Sequence, residues 1–144
     1  VVSRSCQEVS ATVLAEVHQL YGRQSHLIDG GSAREWAETF VADGEFHSPS
    51  YPAPVVGTDE LTRFAELFFE RARDAGEVHR HVITNVDVVA VDDETLDVRA
   101  YLQIVATARG GDSRLVRFTT IADHLVRQNY SWLIAQRTVR RDDS

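Results

Sequence analysis

The hydrophobic repeat of this chain changes once, at Gly76. Before that glycine apolar residues return every three or four positions, and after it every second one, so helices come first and a sheet follows. Four extended runs are legible, at 78–91, 95–108, 114–126 and 132–139, divided by turns at 92–94, 109–113 and 127–131. Such spacing predicts an antiparallel meander. In its second strand Leu96, Val98, Ala100, Leu102, Ile104 and Ala106 share one face, while Asp97, Arg99, Tyr101, Gln103, Val105 and Thr107 share the other. Two layouts are open. Helices on the mixed face would leave the aliphatic face for a second copy and predict a homodimer through the open sheet face; helices on the aliphatic face would leave the polar one in water. With 144 residues, 43% of them hydrophobic, residues 1–144 are read as one domain.

The helical half divides into three. A stripe of Val9, Val13, Val17, Leu20, Gln24 and Ile28 predicts a helix over 5–28, with Ser5 and Glu8 at capping-box spacing and Gly30 and Gly31 as its stop. Asp29 then falls in the last turn, at the negative end of the helix dipole, where a carboxylate needs some other stabilising partner. A plain turn aspartate is the alternative. A second helix is expected over 33–41, with Ser32 and Glu35 at capping-box spacing and Trp36, Phe40 and Val41 buried. The stiff loop SPSYPAP follows, flanked by His47 and Tyr51, either of which could project into a pocket or cover an edge. Thr58, Asp59 and Glu60 open a third helix whose stripe includes Leu61, Phe64, Ala65, Phe68 and Ala72.

Composition removes several function classes. The formal charge is −7, no cluster of arginines stands out, and nucleic acid is not an expected partner. No apolar run approaches the roughly 20 residues of a membrane span, and the first residues show no secretion signal, so the chain reads as cytoplasmic. All 15 basic residues are arginine, which excludes a Schiff-base lysine, and the one cysteine, Cys6, forms no internal disulfide. No cofactor or metal is expected: histidine spacing suggests no three-ligand site, and no glycine-rich phosphate loop exists. The chemistry-bearing stretch is EVHRHVITNVDVVAV. In regular strand geometry His79, His81, Ile83, Asn85 and Asp87 share a face, and an imidazole there titrates near pH ~6.5 when unperturbed. Solvation of one histidine and core hydrogen bonding of the other is the competing reading.

Three helices, a proline-rich insertion and a meander that opens on a histidine strand resemble the nuclear transport factor 2-like fold, an α+β cone of N-terminal helices on a curved antiparallel sheet. The segments LIDGGSAREWAETFVADGEFHSP, VHRHVITNVDV and DHLVRQNYSWLIAQRTV are similar to its SnoaL-like branch. That branch includes scytalone dehydratase and the small tailoring proteins of aromatic polyketide pathways, and EFHSPSYPAPVVG resembles the actinorhodin type. The resemblance implies that Asp29 matches the dehydratase's pocket aspartate and His81 its first catalytic histidine. Its second histidine falls near Val105 or Thr107, neither of which transfers a proton, and the tyrosine before its aspartate is Ile28 here. His124 is expected to be structural.

The functional expectation follows from both readings. His81, oriented by Asp29, would move a proton α to a ketone of an aromatic polyketide, giving cyclisation or dehydration, with Tyr51, Tyr101 or Asn85 on the developing enolate oxygen. Trp36, Phe40, Phe64 and Phe68 would hold the rings, and Tyr21, His47 and Gln103 are further candidates for substrate contact. Two alternatives belong to other classes. One is a non-catalytic accessory protein that binds and protects or positions a polyketide intermediate. The other is an epoxide hydrolase of the same fold, built on Asp97, Arg99 and Tyr101.

Overall fold

The computed structural model describes residues 8–143, so Ser5 and Cys6 lie outside the described residues. The first helix, α1, runs over Ala11–Asp29 and starts later than the stripe suggests, because Ser10 caps it by accepting the Val13 backbone N–H at 3.1 Å. The helix ends with the Gly30 N–H on the His26 carbonyl, and Gly31 takes a left-handed φ of 85°. The second helix, α2, covers only Ala33–Ala37, and Ser32 makes no side-chain cap bond. It stops short of Val41 because Thr39 Oγ1 donates to the Trp36 carbonyl and the Thr39 carbonyl accepts from Ile134 N–H. From that bond onward the chain is a strand. β1 (Phe40–His47) and β2 (Val55–Val56) lead into α3 (Thr58–Asp74). The meander then occupies β3 (Glu77–Asp92), β4 (Thr95–Ala108), β5 (Ser113–Gln128) and β6 (Ser131–Arg141).

The result is α+β, with an open six-stranded mixed sheet ordered β2-β1-β6-β5-β4-β3. The four meander strands pair antiparallel as expected. What periodicity did not supply is β1, which pairs parallel to β6 and extends the sheet beyond the meander. Gly44 makes that docking possible. The register shifts between Phe40 and Glu45, and a Cβ on Gly44 would lie 2.8 Å from Phe40 Cβ and 3.0 Å from the Val41 carbonyl oxygen. Gly44→Ala is therefore expected to destabilise the fold by about 1–3 kcal/mol through overpacking. A urea midpoint equal to that of the native chain would show instead that β1 relaxes around the methyl.

Register also decides which sheet face meets the helices. Leu96, Val98, Ala100, Leu102, Ile104 and Ala106 are all buried, so the aliphatic face of β4 carries the core. The face left open is the mixed one, which removes the expected route to a dimer through an exposed aliphatic sheet. On that open face Tyr101 is 45% exposed and Phe118 44%. A bulge changes the alternation within β3: Thr84 pairs with Tyr101 but Asp87 pairs with Arg99, and Asn85 takes a φ of 56°. Up to Ile83 the odd residues point inward; beyond it Val86, Val88 and Ala90 do. Asn85 and Asp87 are accordingly exposed, contrary to the even alternation expected of a regular strand. Among the described residues no helix is long and apolar enough to cross a membrane.

Candidate active site

Asp29 and His81 meet. The Asp29 carboxylate accepts the His81 backbone N–H at 2.9 Å on Oδ2 and holds ring Nδ1 at 2.7 Å on Oδ1. Both side chains are nearly sealed, Asp29 at 5% and His81 at 13% exposure. The two bonds supply the stabilisation that a carboxylate at the negative end of α1 requires. They also fix the imidazole, because an acceptor-only carboxylate places the proton on Nδ1 and leaves the Nε2 lone pair free.

His81 faces a cavity of about 60 Å³ between the helices and the sheet. Trp36, Phe46, Tyr51, Phe64 and Phe68 form its aromatic wall, and Ser48, Arg117, Thr119 and Arg137 its other polar lining. The rings pack as a continuous cluster: Trp36 stacks on Phe64 at 5.7 Å, Phe46 lies 4.8 Å from Phe64, and Phe68 lies 4.8 Å from His81. Tyr51, carried by the proline-rich loop, closes edge-on against Phe64 at 5.5 Å. Larger concavities exist, including a groove of about 440 Å³ on the outer face around Asp97, Arg99 and His124. Size does not decide between them: the inner cavity sets the Asp29-held imidazole of His81 within a wall of five aromatic rings.

Behind this wall lies a buried polar network. Arg137 grips Asp123 with Nε at 2.9 Å and Nη2 at 2.8 Å, and Nη2 also donates to Gln24 Oε1 at 2.9 Å. Tyr21 donates to Asp123 Oδ2 at 2.6 Å, and Gln24 Nε2 donates to Thr39 Oγ1 at 2.8 Å. Burial and the adjacent Asp123 charge push the Tyr21 hydroxyl far above the usual phenol range, so it stays a donor. Burial alone would lower the Arg137 guanidinium; the charge and hydrogen bonds of Asp123 more than reverse this, and its net shift is upward.

Several expected contacts are corrected by these positions. Tyr21 belongs to the Asp123 network instead of the cavity lining, and Phe40 is consumed by the core, 5.1 Å from Trp36. His47 turns to Glu45 Oε1 at 2.7 Å and lines an outer groove with the proline-rich loop. Tyr101 and Gln103 stand on the outer face of β4, opposite the cavity side, as their neighbours Leu102 and Ile104 point inward. The epoxide-hydrolase arrangement also fails, since Asp97 is 64% and Arg99 80% exposed and they pair outward with His124 and Asp87. His79 bonds Glu77 Oε1 at 3.0 Å, and the Glu77 carboxyl is held low by hydrogen bonds from Arg114 and then His79. The other ring nitrogen of His79, Nδ1, is buried without a partner among the described residues. Of the expected set, His81, Asp29, Trp36, Tyr51, Phe64 and Phe68 are brought together. Asp29 stands just behind the imidazole that lines the cavity.

Sequence reasoning missed Arg137, Asp123, Arg117 and Phe46. Asp123 had a signal: a lone carboxylate between Ile121 and Leu125 on an apolar strand face. Arg137 had none, because a register shift opposite His124 and Leu125 turns it inward in place of Gln136.

Among the described residues no group of three or more His, Cys, Asp or Glu side chains is placed to hold a metal ion. A family model described as SnoaL-like domain matches residues 9–138. The chain belongs to the SnoaL-like family. No curated protein matches it. Among solved structures this SnoaL-like chain is similar to Aln2 from a Streptomyces species, with 28% identity over 95% of this chain and 96% of that one, at a TM-score of 0.87. A Catenulispora acidiphila protein solved in complex with S-DNPA is 30% identical over 93% of this chain and 96% of its own, at 0.81. ActVI-ORFA from Streptomyces coelicolor, at 22% identity over 94% and 98% and a TM-score of 0.85, shares the fold.

Proposed function

We propose that this SnoaL-like protein is a small acid/base enzyme of the cyclase or dehydratase type, acting on an aromatic polyketide intermediate in its inner cavity. One observation carries the reading: the Asp29 carboxylate clamps His81 by backbone and ring at once, leaving Nε2 as the free basic atom of an imidazole that faces an aromatic wall. In a dehydration, Nε2 takes the proton α to a ketone, the electrons pass into the enolate, and the same proton leaves with the departing hydroxyl as water. His81 ends as it began. In a cyclisation the enolate carbon attacks a second carbonyl, and the proton goes to the new alkoxide. Tyr51 is the phenol at the cavity and replaces Tyr101 and Asn85 as the hydrogen-bond partner from the expected set. The Catenulispora acidiphila relative, solved in complex with S-DNPA, supports small-molecule binding as the task proposed for this chain.

As it stands the cavity, about 60 Å³, has room for little more than two waters. A fused ring system needs on the order of 300 Å³. Entry therefore requires the wall to part, and the contact of Tyr51 with Phe64 is the one that joins a loop to a helix. A panel of bicyclic and tricyclic polyketide intermediates, incubated with the protein and followed for both binding and product, tests the proposal. Conversion of at least one compound is expected; binding with no conversion across the panel would sink the enzyme reading.

A second reading has its own observation. His81 is the one imidazole lining the cavity among the described residues, so a relay through two histidines is not built here. A non-catalytic protein that protects or positions such an intermediate would need no more than the aromatic wall. It predicts affinity that survives removal of both His81 and Asp29, with no turnover in any form.

A further inference from the structure

Arg137 is held more firmly than a structural ion pair requires, and one edge of it is left over. Nε and Nη2 make three hydrogen bonds, two to Asp123 and one to Gln24, with the Tyr21 hydroxyl also interacting with the guanidinium, while Nη1 takes part in none of those three. The guanidinium carbon lies 5.7 Å from the Tyr21 ring and 5.9 Å from the Phe40 ring, and the side chain is 5% exposed. A buried ion pair is in general no more stabilising than apolar residues of the same volume, so stability alone is a weak reason to keep one. The remaining edge belongs to a residue that lines the same cavity as His81.

We propose that Arg137 is the second polar contact of the ligand: Nη1 donates to a carbonyl or phenolate oxygen of the molecule in the cavity that His81 also lines and stabilises the negative charge that develops there. Both residues of the pair are anchored to α1. Asp29, which holds His81, and Gln24, which holds Arg137, lie five residues apart on α1, a rise of about 7.5 Å. Charge created by proton removal reaches an oxygen conjugated to the same carbon, so a ligand that uses both residues is an oxyaromatic with an acidic C–H and an oxygen conjugated to it. Rigid donors aimed at such an oxygen, in a site that excludes water, are worth far more than in solution. The catalytic part of this inference rests on the acid/base reading, whereas the binding part stands without it.

The test uses a hydroxynaphthoquinone whose colour reports ionisation of its phenol, titrated from pH 5 to 10 on the native protein and on Arg137→Gln, Arg117→Gln and His81→Ala. The expected result is a bound phenol at least tenfold more acidic than in water on the native protein, on Arg117→Gln and on His81→Ala. On Arg137→Gln the shift is lost. Retention in His81→Ala separates this inference from the proposed reaction, because a protein without turnover would still show it. A bound phenol that ionises as in water, a shift that follows Arg117 instead of Arg137, or no binding at millimolar probe overturns it. Should Arg137→Gln not fold, the guanidinium ¹H–¹⁵N resonances of the native protein give the same answer: a buried set that moves with the probe is expected, and an unmoved one refutes the contact.

Discussion

His81→Ala is expected to slow turnover by about 10²- to 10⁴-fold while ligand affinity changes by no more than a few-fold, since the position supplies a proton acceptor and not the bulk of the binding surface. Asp29→Asn is expected to come close to the same loss by a different route. An asparagine can still accept the His81 backbone N–H through its oxygen, which keeps the junction of α1 and β3 in place. Its NH₂ group then faces ring Nδ1, and a donor there forces the proton onto Nε2 or turns the ring, so the free lone pair is withdrawn from the cavity. Single-turnover rates and equilibrium affinities, measured on both variants with one converted compound, check this. Unchanged rates in both would mean that the reaction does not pass through the imidazole.

The largest stability effect is expected at Asp123. Asp123→Ala strands Arg137 as an uncompensated buried cation and removes the acceptor that Tyr21 donates to. Breaking one partner out of a buried pair costs about 3–5 kcal/mol, which for a chain of this size lowers the melting temperature by roughly 6–20 °C. Asp97→Ala is the matched control. Asp97 also pairs with a basic partner, His124 at 2.8 Å, but that pair lies on the open face and its loss is worth less than about 1 kcal/mol. Equal melting temperatures for the two variants would show that the internal network carries no structural weight.

The contrast between these two aspartates says how far the sequence can be read. Both sit on meander strands and both have a basic partner, yet one is sealed and the other solvated. The meander itself and the first and third helices follow from periodicity, because long regular patterns average over local irregularity. The dyad comes from family resemblance and from the odd position of Asp29 at a helix end. What cannot be read lies beside interruptions of the alternation. Counting in twos assigns Asn85 and Asp87 to the inner face, and one extra residue in β3 sends them outward. Arg137 is hidden by the converse event in β6. Strand β1 escapes the pattern because Phe40 and Val41 continue the helical spacing of Trp36, while the helix is ended by the two bonds of Thr39, its hydroxyl to the Trp36 carbonyl and its carbonyl from the Ile134 N–H.

The first helix also serves as a length standard. From its first turns to its last residue it meets Trp132 and Arg127 through Glu16, Asp123 through Tyr21, Arg137 through Gln24 and His81 through Asp29, and so reaches β6, β5 and β3. Adding one residue between Gln24 and Asp29 would rotate everything beyond it by about 100° and advance it by about 1.5 Å. Asp29 would then point away from β3 while the upper contacts stayed put. The two halves of the cavity are thus kept in phase by the count of residues in a helix that barely touches the ligand space, and variation in chain length has to be accommodated in the turns between strands, where no such phase is kept.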